Sequence, residues 1–169
     1  EAAGTTGVVD RLASVAYDGA DPGEVVVASD RAGRQRLWAH RDAHSVAIST
    51  LGVPTKLDVT VSQGRVGAFI GEVREAVVAD GSSQAWIFGH AGDGNLHVNL
   101  TGTKPAGLAD HILHLVVDCG GSVSAEHGIG RDKVDWLDAC RGPGELQVFR
   151  MVKDALDPTG RLNPGVLFG

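Results

Sequence analysis

The run FGHAGDGNLHVNL, from Phe88 to Leu100, restricts the fold more than any other stretch of the sequence. Its second half alternates: Leu96, Val98 and Leu100 fall on one face, and Asn95, His97 and Asn99 on the other. Period-two alternation marks a strand with one buried face. Residues 85–89 supply a preceding strand and Ala91-Gly92-Asp93-Gly94 a turn, so the run reads as a hairpin whose apolar face belongs to the core. With His90 opposite Asn95, His90 and His97 become a diagonal cross-strand pair on the polar face, about 7 Å apart and able to reach one ion. Downstream, SAEHGIG (residues 124–130) brings Glu126 and His127 among further glycines.

Two histidines and a carboxylate form a recurrent catalytic ligand set that leaves a coordination position open to water or substrate. The alternative is a tight hairpin built by Gly92 and Gly94 whose histidines are ordinary polar residues on a solvated face. Other glycine-loop chemistries fit less well. A phosphate loop opens a helix with its amides aimed at the anion, whereas this run leads into a strand. A calcium loop needs regularly spaced carboxylates, and Asp93 stands alone.

With 169 residues, 43% of them hydrophobic, the chain has the size and apolar content of one domain that needs no disulfide. Cys119 and Cys140 form no C-x-x-C pair and read as reduced structural thiols of a cytoplasmic protein. The net charge of -6 speaks against a nucleic-acid partner, which calls for a basic stripe. No apolar run approaches the roughly 20 residues that span a bilayer, and no signal-peptide pattern is visible. Because the sequence opens on Glu1, a fragment or a processed product is expected.

Along the chain, residues 7–20 read as a short helix and residues 25–29 (VVVAS) as a buried strand. Asp30 is placed to cap a helix carrying Arg41 and Ser45, four residues apart on one face. After Pro54, residues 56–61 alternate as a strand with Lys56 and Asp58 on one side. Val66, Phe69, Ile70, Val73, Ala76 and Val77 follow a helical period across residues 63–79. A second stripe, Leu108, Ile112, Leu115, Val116 and Cys119, leaves Asp110, His114 and Asp118 on the opposite face and His111 at its flank. His111 and His114 have a chelating spacing but no third ligand nearby, which favours a solvated face. Residues 122–124 read as a short strand, and a helix starting near Gly130 turns Val134 and Leu137 inward. Val148, Phe149, Val152 and Leu156 mark a last helix, ended by DPTGRLNPG. This order predicts an α+β fold, an antiparallel sheet with helices packed on one face. The other face is then free for Lys56, His90, His97 and Asn99 to converge.

FGHAGDGNLHVN, SAEHGIGRDK and the terminal DPTGRLNPG, in this order and at these separations, resemble the C-terminal domain of the FAD-linked oxidases of the vanillyl-alcohol oxidase superfamily. Within it the likeness is to the type found in D-2-hydroxyglutarate dehydrogenase, D-lactate dehydrogenase and the glycolate oxidase FAD subunit. The resemblance covers nearly the whole chain. It implies that residues 1–169 form a single substrate- and metal-binding domain, with the FAD-binding domain that precedes it in the family lying outside this sequence. It also implies that His90, His97 and Glu126 ligate a divalent metal, zinc or manganese, and that His127 is the catalytic base. In an extended chain neighbouring residues point opposite ways, which agrees with Glu126 and His127 taking different tasks. Arg41, Ser45 and Lys56 become contacts of the substrate carboxylate and Asn99 a polar contact beside the reacting carbon, while Asn163 becomes a contact of the cofactor. The planar donors of arginine match the two oxygens of a carboxylate. Departures from the family are Ser45 where threonine is common, Leu57 where an aromatic or polar residue is common, and Val166 where lysine follows Asn-Pro-Gly.

The implied activity is oxidation of a small 2-hydroxy acid to a 2-oxo acid by an FAD-dependent enzyme, with this chain alone inactive. A cytoplasmic location is implied, with membrane association only through an electron-accepting partner, and the surface left for the FAD-binding domain, including the NPGVLFG tail, favours homo-oligomers. Two rival readings are metal-assisted hydrolysis, with Glu126 or His127 activating a bound water, and a metal-stabilised domain that binds ligand without catalysis.

Overall fold

The computed structural model describes residues 26–102 and 107–168. The helix expected over residues 7–20 lies outside them. The chain divides into two compact units, Glu1–Ala47 and Ile48–Gly169.

In the first unit α1 (Arg31–Ser49), whose last turn runs past the boundary, begins where the Asp30 carboxylate accepts the backbone N–H of Gly33 at 2.5 Å. This is the expected cap, which satisfies one of the free amides at a helix start. Residues 26–29, however, are not strand. Val26 and Val27 are exposed rather than buried, and a β-branched run is a strand only where another strand pairs with it. Arg41 and Ser45 share one side of α1 by their spacing.

In the second unit β1 (Thr55–Thr60) follows Pro54 and leads through a short 3-10 turn, Gln63–Arg65, into α2 (Val66–Asp80). Gly81, left-handed at φ 71°, ends α2 by donating its N–H to the Val77 carbonyl. The hairpin follows as β2 (Ser83–His90) and β3 (Asn95–Gly102), then α3 (Leu108–Asp118). The sheet is antiparallel in the order β1-β3-β2. Its register pairs His90 with Asn95, Phe88 with His97, Asp58 with His97, and Lys56 with Asn99. Leu57, Val59, Leu96, Val98 and Leu100 therefore turn to one side. There they pack with Phe69 and Val73 of α2 and with Leu108, Ile112, Leu113 and Val116 of α3 to form the core. The predicted α+β architecture, with helices against one face of an antiparallel sheet, is the one observed.

Two local expectations are corrected. Residues 122–124 make a single bridge, Thr60 with Ser122, instead of a strand, because the chain then bends toward the Asp58 carboxylate. The helix expected from Gly130 is a 3-10 turn, Val134–Trp136, followed by a short α4 (Leu137–Cys140), with Leu137 buried and Val134 half-buried. The last helix is present as expected, as α5 (Pro143–Leu156); it buries Leu146 and leaves Val148, Met151, Val152 and Leu156 more than half exposed. In α3 the predicted stripe is rotated slightly, with Leu113 fully within the core and Leu115 at its edge. Its polar side is as predicted: Asp110, His111, His114 and Asp118 are exposed.

Candidate functional site

The face of the sheet opposite the core is polar but not open. Asp58 on β1 and Asn95, Asn99 and Thr101 on the central β3 are all buried, at 3–7% exposure. This corrects the expectation of a free face. Residues 122–128, delivered by the Thr60–Ser122 bridge, roof the end that carries Asp58, Asn95 and His97. At the other end the Trp86 indole N–H donates to the Thr101 hydroxyl at 3.0 Å.

Asp58 is the hub. Its Oδ2 accepts the backbone N–H groups of Ala125, Glu126 and His127 at 3.1, 2.8 and 3.0 Å, and its Oδ1 lies 3.3 Å from His97 Nδ1. His127 Nδ1 is 3.8 Å from Oδ2, and the His127 ring stacks on that of His97 with centroids 5.9 Å apart. Burial pushes the Asp58 pKa up, but the amides of Glu126 and His127 and the nearby imidazoles outweigh it and hold the group below 3.8, ionised. Lys133 donates to the carbonyls of Val123 and Asp58 at 2.5 and 3.4 Å. Burial pulls its pKa below 10.5 against the opposing pull of Asp58.

Glu126 and His127 do diverge, though through a bend rather than an extended chain. The Glu126 carboxylate accepts the Asn95 side-chain amide at 2.5 Å, directly across from His90 in the register. His127 lies over His97 with its ring largely exposed. The structure thus brings His97, Glu126 and His127 together around Asp58 and Asn95, with His90 one diagonal away on β2. Lys56 is exposed on the same face, opposite Asn99. Arg41 and Ser45 belong to α1, where the Arg41 guanidinium is 4.0 Å from Asp42. Asn163 sits in the terminal loop in the left-handed region, φ 46°, its carbonyl accepting the N–H of Val166. Asparagine is among the few non-glycine residues that take this conformation readily.

Asp58, Asn95 and Lys133 were not singled out by sequence. Asp58 carried a weak signal, a carboxylate in strand register beside Lys56, but nothing local announces that it is buried or that a segment 67 residues away folds onto it.

Among the described residues no three His, Cys, Asp or Glu side chains gather closely enough to hold a metal ion. The donor types alone, imidazole and carboxylate, are those a divalent cation takes. Two imidazoles lie diagonally on one face, the Glu126 carboxylate is held by Asn95, and the Asp58 anion sits behind His97 Nδ1. Three buried polar atoms on this face, Asp58 Oδ1, Asn95 Oδ1 and Asn99 Nδ2, have no hydrogen-bond partner of standard geometry among the described residues. Buried groups in that state call for a ligand or water.

A family model described as "FAD linked oxidases, C-terminal domain" matches residues 8–167. The chain belongs to this family. Among the relatives of this FAD-linked oxidase C-terminal domain is a D-2-hydroxyglutarate dehydrogenase of Stutzerimonas stutzeri, 38% identical over 146 residues, or 79% of this chain and 31% of the relative. A D-lactate dehydrogenase of Anaerostipes hadrus is 32% identical over 152 residues, 84% of this chain and 32% of the relative. The glycolate oxidase subunit GlcD of Escherichia coli is 34% identical over 151 residues, 84% of this chain and 30% of the subunit. The chain spans about a third of the length of these relatives.

Proposed function

We propose that the chain is the substrate- and metal-binding part of an FAD-dependent D-2-hydroxy acid dehydrogenase that converts a 2-hydroxy acid to a 2-oxo acid. The observation that carries the reading is the cluster of His97, Asn95, Glu126 and His127 organised on Asp58, in a family whose named relatives act on D-2-hydroxyglutarate, D-lactate and glycolate.

His90, His97 and Glu126 would hold zinc or manganese, and FAD would be held mainly by an FAD-binding domain with a contact from Asn163. When bound, the metal supplies Lewis acidity toward the 2-hydroxyl and the flavin supplies a hydride acceptor. The rest is work for this chain's own side chains. His127 turns Nδ1 toward the Asp58 carboxylate, which leaves Nε2 as the acceptor of the hydroxyl proton. Asn99 Nδ2, buried and without a partner among the described residues, is a donor for the oxygen on C2. Lys56, on the same face, would bind a carboxylate oxygen, and Arg41 and Ser45, four residues apart on α1, are carried as carboxylate contacts by the family resemblance alone. Loss of one proton from oxygen and of the C2 hydrogen as hydride gives the 2-oxo acid, with both electrons leaving on the hydride.

The metal assignment is tested by elemental analysis of the chain after reconstitution with zinc or manganese. His90→Ala, His97→Ala and Glu126→Ala are each expected to lose most of the bound metal, because each removes one ligand of an open site. Full occupancy in all three variants overturns the assignment.

A further inference from the structure

We propose that Asp58 is the positioning residue of this site, and that its single carboxylate sets two things together: the tautomer of His97 and the turn that presents Glu126 and His127. Only the metal-affinity arm of the test depends on the function proposed above.

The two oxygens of Asp58 do different jobs. Oδ2 gathers three consecutive backbone N–H groups, those of residues 125–127, and so fixes the bend from which Glu126 reaches Asn95 and His127 lies over His97. Oδ1 is buried and makes no hydrogen bond of standard geometry among the described residues. His97 Nδ1, at 3.3 Å, faces it. A buried carboxylate oxygen needs a donor, and an imidazole that supplies one from Nδ1 carries its proton there and keeps a lone pair on Nε2. Lys133, bonded to the Asp58 carbonyl, adds positive charge beside the buried anion.

The turn alone does not require a charge. An asparagine at 58 could accept the same three N–H groups through its amide oxygen. Its NH2 would then stand where Oδ1 stands and donate into His97 Nδ1, so the proton would move to Nε2. The negative charge at 58 therefore acts on the tautomer, and Asp58→Asn separates that effect from the fold.

The test is long-range 15N–1H spectroscopy of the imidazoles in the metal-free chain, wild type and Asp58→Asn, with circular dichroism and a Zn2+ titration of both. In the wild type, His97 should be protonated at Nδ1. In Asp58→Asn the fold and the His90 signals should be retained while His97 moves to the Nε2–H form, and Zn2+ affinity should fall on the order of 10–100-fold, as for other lost partners of ligating histidines. His97 found as Nε2–H in the wild type overturns the proposal without recourse to any variant, and so does an unchanged tautomer in a folded Asp58→Asn protein. A tautomer switch in a chain whose wild type takes up no Zn2+ upholds the positioning role and overturns the metal reading instead.

Discussion

Asp157 closes the C-terminal loop much as Asp58 closes the site, with one carboxylate on several donors. Its Oδ2 meets Lys153 Nζ at 2.5 Å and the N–H of Leu162 at 2.8 Å, and its Oδ1 accepts the N–H of Arg161 at 2.8 Å. The Lys153 hydrogen bond is the largest of the effects that hold this pKa at about 2, below the ordinary 3.8. A carboxylate depressed in the folded state stabilises it above the unfolded pKa and stops doing so as pH falls through the folded value. That contribution is thus complete above pH 3.8 and lost on the way down to about 2. Asp157→Asn should melt below the wild type at neutral pH, with the gap closing between those two values; a gap that stays constant in thermal melts across that window would refute the linkage. The carboxylate contact proposed for Arg41 is also testable at a single residue. In the enzyme joined to its FAD-binding domain, Arg41→Ala should lower kcat/KM for anionic 2-hydroxy acids by the equivalent of a charged hydrogen bond, about 1.5–3 kcal/mol. Unchanged kinetics with D-2-hydroxyglutarate, D-lactate and glycolate would remove it from the carboxylate contacts.

Among the elements, the hairpin has the sharpest backbone requirement, and its two turn glycines are not equivalent. Gly94 has φ 73°, its carbonyl accepts the N–H of Val61, and a Cβ there would overlap the Val61 carbonyl oxygen. Gly92 has open space where its Cβ would be, and its φ is not positive. Left-handed backbone costs a residue with a Cβ about 1–2 kcal/mol before any overlap is counted. Gly94→Ala should therefore lose at least that much in urea unfolding and Gly92→Ala very little. Equal losses would mean that the turn relaxes, and that β1 and the hairpin are not locked through Gly94. The same lock holds Asn95 and His97 opposite Thr60 and Asp58, so the defect should also disturb the proposed metal site. Behind the sheet, Phe69 of α2 is fully buried in the core, a position at which truncation to alanine costs about 3–5 kcal/mol.

At the scale of the whole molecule, α5 carries a surface that its own unit leaves uncovered. Val148, Met151, Val152 and Leu156 recur at helical spacing and are 52–75% exposed, with Leu162 and Leu167 of the terminal loop also exposed. Contiguous apolar surface of this kind drives association in water. Sedimentation of the isolated chain should show concentration-dependent self-association that Met151→Lys with Val152→Lys relieves, whereas a monomer at every concentration would sink the expectation. The sequence by itself determined what depends on neighbours along the chain. Alternation in residues 95–100 and the helical period of residues 66–77 decide which side chains share a face, because strand and helix geometry are local, and so β3, α2, the His90–Asn95 register and the α+β class were all legible. Periodicity says which residues go together but not what covers them. It marked the stripe on α5 without revealing that the stripe stays exposed, and it put Lys56 and Asp58 on one face without revealing that Lys56 reaches solvent while Asp58 is sealed under residues 125–127. Only the tertiary structure decided that, since the three amides that stabilise the Asp58 carboxylate lie 67–69 residues further along the chain.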